Sequence, residues 1–257
     1  PYSRSQLQLW IRQGRVTIQG RIPLGRQLVS GGEAVRLEVP RPEPVAWQPQ
    51  DLPLELVYED ADILVIDKPA GLVVHPGAGN PVGTLANAIL YHFPELAALP
   101  RAGLVHRIDK DTTGLLVVAR NEHARSELIR ALECHAVSRC YLAVVDGIPI
   151  SGGTVDQPIG RHPRNRLRMA VSPVGKPAVT RYRVEEKFRA HALISVELET
   201  GRTHQIRVHL SWAGYPLVGD ALYGRRLRIP AGASNKFAET LRGFKRQALH
   251  ARSLTLA

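Results

Sequence analysis

Cysteine is almost missing from this chain: Cys134 and Cys140 are the only two in 257 residues. So sparse a pair builds no disulfide framework and fits a reducing compartment, the cytoplasm. Paired Cys-x-x-Cys spacing is also lacking and the ten histidines are scattered, so no metal site is expected. No apolar run approaches the roughly 18 residues that a membrane span needs, and no membrane association is expected. Aromatic residues make up only 5% of the chain, which argues against a stacking platform for single-stranded nucleic acid. Acids are outnumbered, 23 against 34 lysines and arginines, for a formal net charge of +11. A globular protein this basic usually meets a polyanion, although solubility alone is the plainer reading of the same charge.

What is present can bury a core. The sequence is 44% hydrophobic, and its length suits one large domain plus a small one. It opens at Pro1 without methionine and stops at Ala257 inside a strand-like run, so both ends read as trimmed. Residues 1–40 read as a small unit: Ser5 caps a short helix carrying Leu7, Trp10 and Ile11, and Gly14 stops it. Short β-segments follow around Val16, Ile18, Val35, Leu37 and Val39, with turns at Gln19-Gly20 and Gly31-Gly32. Arg4, Arg12, Arg15, Arg21, Arg26 and Arg36 stand there against Glu33 and Glu38 alone, a pattern that suits phosphate tracking or an ordinary solvated face. Residues 41–53 carry Pro42, Pro44, Pro49 and Pro53 and read as a semi-rigid linker.

The remainder, 54–257, reads as one α+β sheet domain. Apolar runs over LELVYEDADILVIDKP, TGLLVVAR, YLAVV, VTRYRV and ALISVELET predict strands. TLANAILYHF, capped by Thr84, and HARSELIRALE predict helices, and no regular βαβ repeat is present.

Two segments carry chemistry. In VHRIDKDTTGLLVVA, Asp109 and Asp111 lie between Arg107 and Lys110 just before an apolar strand. Neighbouring cations favour an ionised carboxylate, the form that covalent catalysis uses. The competing reading is turn chemistry over Asp111-Thr112-Thr113-Gly114. In ETGRTHQIRVHLSWAG, Thr203 is a plausible helix cap, Gly214 suits the C′ position, and Arg202 falls at the positive helix end, where a phosphate could sit. Arg207, one turn in, could reach a carboxylate in a cleft. Equally, His204 and His209 read as satisfied histidines and the arginines as solvated. RHPRNRLR, with Arg161 and Arg164, and the stretch from Arg225 to Arg246 read as basic loops. No apolar surface stripe stands out, so a monomer is expected.

These motifs together resemble the RluA-type pseudouridine synthase family. The resemblance rests on HRIDKDTTGLLVVA, on IDKPAGLVVHPGAGN, on RCYLAVV, and on GRTHQIRVH followed by PLVGD, in family order and nearly end to end. It implies a catalytic domain on a mixed, mainly antiparallel sheet with flanking helices, preceded by a small S4-like RNA-binding domain that is incomplete at its start. It also implies Asp109 as nucleophile and Arg107 as the side chain filling the space of an extruded uridine. Tyr141 would stack on the flipped base and serve as a base, and Arg207 would pair with the carboxylate. His106, Arg202, His204, Arg4, Arg12, Arg15, Arg161 and Arg164 are the expected RNA contacts. No cofactor is called for, and the implied partner is ribosomal RNA of the large subunit. Ile108 stands where the family commonly has leucine, a volume-conserving change. Two other readings remain: a non-catalytic RNA-binding or ribosome-assembly protein, and a nucleosidase or glycosylase that breaks the same bond.

Overall fold

The computed structural model describes residues 4–24, 27–39, 47–77 and 79–256, with side chains from Leu7 onward. The Arg4 side chain, Arg26 and the linker prolines Pro42 and Pro44 lie outside the described residues. The chain divides into two compact units, Pro1–Ala46 and Trp47–Ala257.

In the first unit, α1 (Arg4–Arg12) is followed by β1 (Val16–Ile18) and β2 (Val35–Leu37), paired antiparallel with Val16 opposite Leu37. Among the described residues, Trp10 and Val16 are its buried hydrophobics. Gly14 takes φ +73° after the helix, a left-handed stop that a Cβ would strain. Ser5 lies inside the helix rather than at its cap.

The second unit is built on an eight-stranded sheet. In chain order its elements are β3 (Leu56–Glu59), β4 (Ile63–Lys68), α2 (Leu85–His92), β5 (Thr113–Ala119), α3 (Glu122–Glu133), β6 (Ser138–Asp146), β7 (Gly153–Asp156), β8 (Ile159–Arg161), β9 (Met169–Val171), β10 (Val179–Lys187), β11 (His191–Leu198), α4 (Gln205–Trp212), α5 (Asn235–Gly243) and β12 (Leu249–Thr255). Spatially the sheet runs β3-β4-β5-β12-β6-β11-β10-β7, and β8 and β9 form a separate hairpin. Every neighbour in the large sheet is antiparallel except β5 and β12, which makes it the mixed, mainly antiparallel α+β sheet that the resemblance implies.

The parallel pair at its centre is possible because Gly114, at φ +110°, lies directly against Ala251: a Cβ there would stand 2.2 Å from the Ala251 carbonyl oxygen. Period-two burial drives the strands. In β4, Leu64, Ile66 and Lys68 point inward, and in β6, Arg139, Tyr141, Ala143 and Val145 do.

The expected linker over 41–53 is not a free spacer in its second half. Trp47 packs on the core, the Gln48 carbonyl accepts from Asn87 Nδ2 at 2.7 Å, and Gln50 Oε1 accepts the Gly83 N–H at 2.6 Å. Proline excludes regular structure there, and side-chain and main-chain hydrogen bonds to the start of α2 fix the segment instead.

Candidate active site

Asp109 sits on the loop that enters β5 at the middle of the sheet, and that loop is pinned almost residue by residue. Ile108 is buried beneath it. The Lys110 carbonyl accepts from Lys68 Nζ at 2.8 Å and from the Gly71 N–H at 3.0 Å. Arg246 Nη1 donates to the Asp111 carbonyl at 3.3 Å, and Thr112 accepts from the Gln247 amide at 3.1 Å. The Thr112 N–H closes a turn on the Asp109 carbonyl at 3.1 Å. The turn and the chemistry therefore coexist: the backbone turns so that the Asp109 side chain faces the cleft.

Its cation is not a sequence neighbour. Arg107 and Lys110 are exposed, whereas Arg207 on α4 places Nη1 2.9 Å from Asp109 Oδ2. The other edge of the same guanidinium forks onto Asp220, Nε to Oδ2 at 2.8 Å and Nη2 to Oδ1 at 2.9 Å. Asp220 Oδ1 also accepts the N–H groups of Leu222 and Tyr223 at 2.9 and 3.0 Å, and its side chain is fully buried. Burial pushes the Asp220 carboxyl up, but the Arg207 hydrogen bonds and charge and the two backbone donors outweigh it, so its pKa lies below the usual value. Arg207 is raised in turn: burial alone would lower it, and the two carboxylates overcome that. The Tyr223 ring lies under the guanidinium, 5.0 Å from its carbon to the ring centroid, a cation–π contact that fixes its plane.

Tyr223 also orients His204. Its hydroxyl accepts the Met169 N–H at 2.8 Å and meets His204 Nδ1 at 2.8 Å, while His204 Nε2 stands 3.9 Å from Asp109 Oδ1. Burial lowers the His204 pKa, although Asp109 pulls it upward. The expected cap at Thr203 is displaced by one residue: His204 is the N-cap of α4, in a left-handed backbone conformation (φ 57°), and no side-chain cap bond forms. Gln205, the first helical residue, instead ties down the approach to the helix, taking the Arg202 N–H on Oε1 at 2.9 Å. His209 is a satisfied core histidine, bonded to Thr180 and to the Gln157 carbonyl. Gly214 takes φ +90° past the helix end.

Asp109 and Arg207 line a cleft of about 520 Å³ together with His106, Arg107, Tyr141, Arg202 and His204, and it continues over Asp109 into a second hollow of about 430 Å³ bounded by Val73, Lys110 and Ala221. Tyr141 is buried, and desolvation pushes its phenol up to about 12, so it is a neutral ring for packing and a poor proton acceptor. His106 is half-buried; its Nε2 accepts the Val117 N–H at 3.0 Å, and burial lowers its pKa to about 4. Arg202 donates to the Pro177 carbonyl at 3.0 Å. Arg161, at the end of β8, and Arg164, on the loop to β9, are exposed and bound neither hollow. Arg12 and Arg15 are exposed in the first unit.

Four residues of this site escaped sequence reasoning. Asp220 and Tyr223 follow Arg207 by 13 and 16 positions, and nothing local announces them, although the PLVGD motif contains the aspartate. Lys68 had a readable signal: the alternation that buries Leu64 and Ile66 puts a lysine on the core face. Its ammonium donates to the carbonyls of Pro69, Leu72 and Lys110, and burial lowers its pKa to about 8. Arg139 had the same signal in β6. Among the described residues no group of three or more His, Cys, Asp or Glu side chains could hold a metal ion, and no helix is long and apolar enough to cross a membrane.

A mixed sheet with an arginine-held carboxylate in a basic central cleft defines a class that the comparisons identify. The sequence profile of the family described as RNA pseudouridylate synthase matches residues 62–212, more than half of the chain. The protein belongs to that family and is an isomerase of uridine in RNA. Among its curated relatives are proteins named ribosomal large subunit pseudouridine synthase D. The one from Yersinia pestis is 56% identical over 256 residues, 99% of this chain and 79% of that protein. Its counterpart from Pseudomonas aeruginosa is 57% identical over 255 residues, 99% and 80%. In structure, human RNA pseudouridylate synthase domain containing 1 superposes with a TM-score of 0.61 at 28% identity, covering 83% of this chain and 80% of its own.

Proposed function

We propose that this enzyme acts on large-subunit ribosomal RNA in the bacterial cytoplasm, with Asp109 as its nucleophile. The observation that carries the role of Asp109 is the 2.9 Å contact with Arg207 at the floor of the cleft. A charge-assisted hydrogen bond of that length aims the carboxylate into the cleft. The substrate class rests on relatives above half identity over nearly the whole chain that bear the large-subunit name.

A uridine within a stem hides its glycosidic bond, so the nucleotide must turn out of the stack at a cost of a few kcal/mol. Arg107, exposed at the rim, fills the space that it leaves. Tyr141 stacks on the incoming base as a neutral phenol. Asp109 bonds to the uridine, the N1–C1′ bond breaks, the uracil turns within the cleft, and C5 bonds to C1′ with the bond to Asp109 broken again, which frees the carboxylate. The C5 hydrogen leaves as a proton and N1 gains one, so the reaction is balanced without redox change. Arg202 and His204 contact the substrate strand near the helix end, and Arg161 and Arg164 meet phosphates farther out. Residues 1–40 act as an S4-like RNA-binding module through Arg4, Arg12 and Arg15, and the protein works as a monomer.

The test is incubation with RNA tritiated at uracil C5. Release of tritium to water with no free uracil is the expected result, with large-subunit transcripts preferred over tRNA. Free uracil would mean a glycosylase, and neither product would mean a binding protein.

A further inference from the structure

Arg139 is the second buried arginine of the cleft, and nothing above uses it. It lies on β6 two residues before Tyr141, so the strand alternation turns both side chains to one face, and both line the cleft. It is 8% exposed, and among the described residues no carboxylate pairs with it. Nη2 makes only long contacts, 3.5 Å to the Leu198 carbonyl and 3.3 Å to that of Glu199, and Nε has no hydrogen-bond partner at all. Burial pushes its pKa down, with Tyr141 alone opposing. A buried cation without a counter-charge is costly, and so is an orphaned donor. Arg101 and Arg202, by contrast, are exposed at the same cleft, where the phosphates of an extruded nucleotide would remain. The depth of Arg139 matches the base itself.

We infer that Arg139 is the uracil-reading residue, whose guanidinium donates to a carbonyl oxygen of the flipped base. This rests on the uridine-isomerase reading of the cleft. Uracil offers carbonyl acceptors at C2 and C4, where a donor-only fork is satisfied; cytosine keeps the C2 carbonyl, but at C4 it presents an amino donor that meets the fork with like polarity. The same unpaired positive charge stabilises electron density that moves onto the ring as the N1–C1′ bond breaks. A structural alternative exists on the same strand: Arg139 packs beneath the 198–201 segment, where a Cβ on Gly201 would stand 2.7 Å from Nη1, and it could merely support the approach to α4.

A cross of protein and substrate variants separates the two. Wild type, Arg139→Met and Arg139→Lys are compared in single turnover on RNA carrying uridine, 4-thiouridine or 2-thiouridine at the target, with products identified after digestion to nucleosides. Sulfur is a weaker acceptor, so wild type should convert one of the two thio substrates about 10- to 100-fold more slowly than uridine. Arg139→Met should convert uridine more slowly by a similar factor and lose that discrimination, while Arg139→Lys should keep it in part. If Arg139→Met is slowed equally on all three substrates, or not slowed at all, the inference is overturned. A wild-type enzyme that converts no uridine would instead remove the activity, an outcome independent of Arg139. Melting of each variant shows that it is folded, and the lysine variant carries the test should the methionine one fail to fold.

Discussion

Arg207 and Arg139 line one cleft, both are nearly buried, and their surroundings are opposite. Arg207 is held by two carboxylates and a tyrosine ring; Arg139, among the described residues, has no carboxylate partner and a free Nε. The first arrangement is closed on itself, with all three guanidinium nitrogens bonded to carboxylates before substrate arrives. The second is open, with Nε left for a partner that the substrate can bring. The contrast separates two uses of a buried cation: one fixes a reacting group in place, the other is held in readiness for charge or polarity brought by the substrate.

The largest expected effect that would break this contrast is on stability. Arg207→Met leaves Asp109 and Asp220 facing each other without a cation, and breaking a buried pair in this way costs about 3–5 kcal/mol. For a domain of this size that corresponds to a fall in Tm of about 10 °C. Arg139→Met, in contrast, removes an uncompensated charge at nearly constant volume and should move stability by less than about 1 kcal/mol, or raise it. Equal melting shifts for the two variants would erase the distinction.

Asp220→Asn comes next, at about 2–3 kcal/mol for a weakened charge-assisted fork. Its pH dependence has a defined sign. The folded carboxyl lies below its ordinary value, so its contribution is complete above the unfolded pKa of about 3.9 and is lost as pH falls through the folded value. Wild type should therefore lose more stability than Asp220→Asn between pH 5 and 2, to be read by denaturant titration at each pH.

Lys68→Met should cost about 1–3 kcal/mol by leaving three carbonyls unpaired. With Lys68 at about 8 in the fold against roughly 10.4 unfolded, the unfolded chain binds the extra proton between those values. Stability from this group therefore rises with pH across that window, and the variant should lack that slope.

The strands were readable as apolar runs, with alternating burial clearest in β4 and β6, and the expected runs over β3, β4, β5, β6, β10 and β11 coincide with observed ones. The parallel contact of β5 with β12 was not readable, since Gly114 and Ala251 meet across 137 positions. The site divides along the same line. Asp109 and Arg207 stand out in local motifs, and the family resemblance pairs them as the fold does; of the sequence neighbours read beside Asp109, Arg107 and Lys110 are exposed. Asp220, Tyr223 and Arg139 act through distances set by tertiary packing. Local pattern names residue types, and only the fold decides which of them share a hydrogen bond.

The central claim is that the Asp109 carboxylate, aimed by Arg207, is the group that attacks the extruded uridine. Asp109→Asn keeps the shape and removes the charge, so single-turnover tritium release from C5-labelled RNA should fall by more than about 10³-fold, while RNA affinity stays within several-fold of wild type. Tritium release by Asp109→Asn at a rate close to wild type would contradict the account.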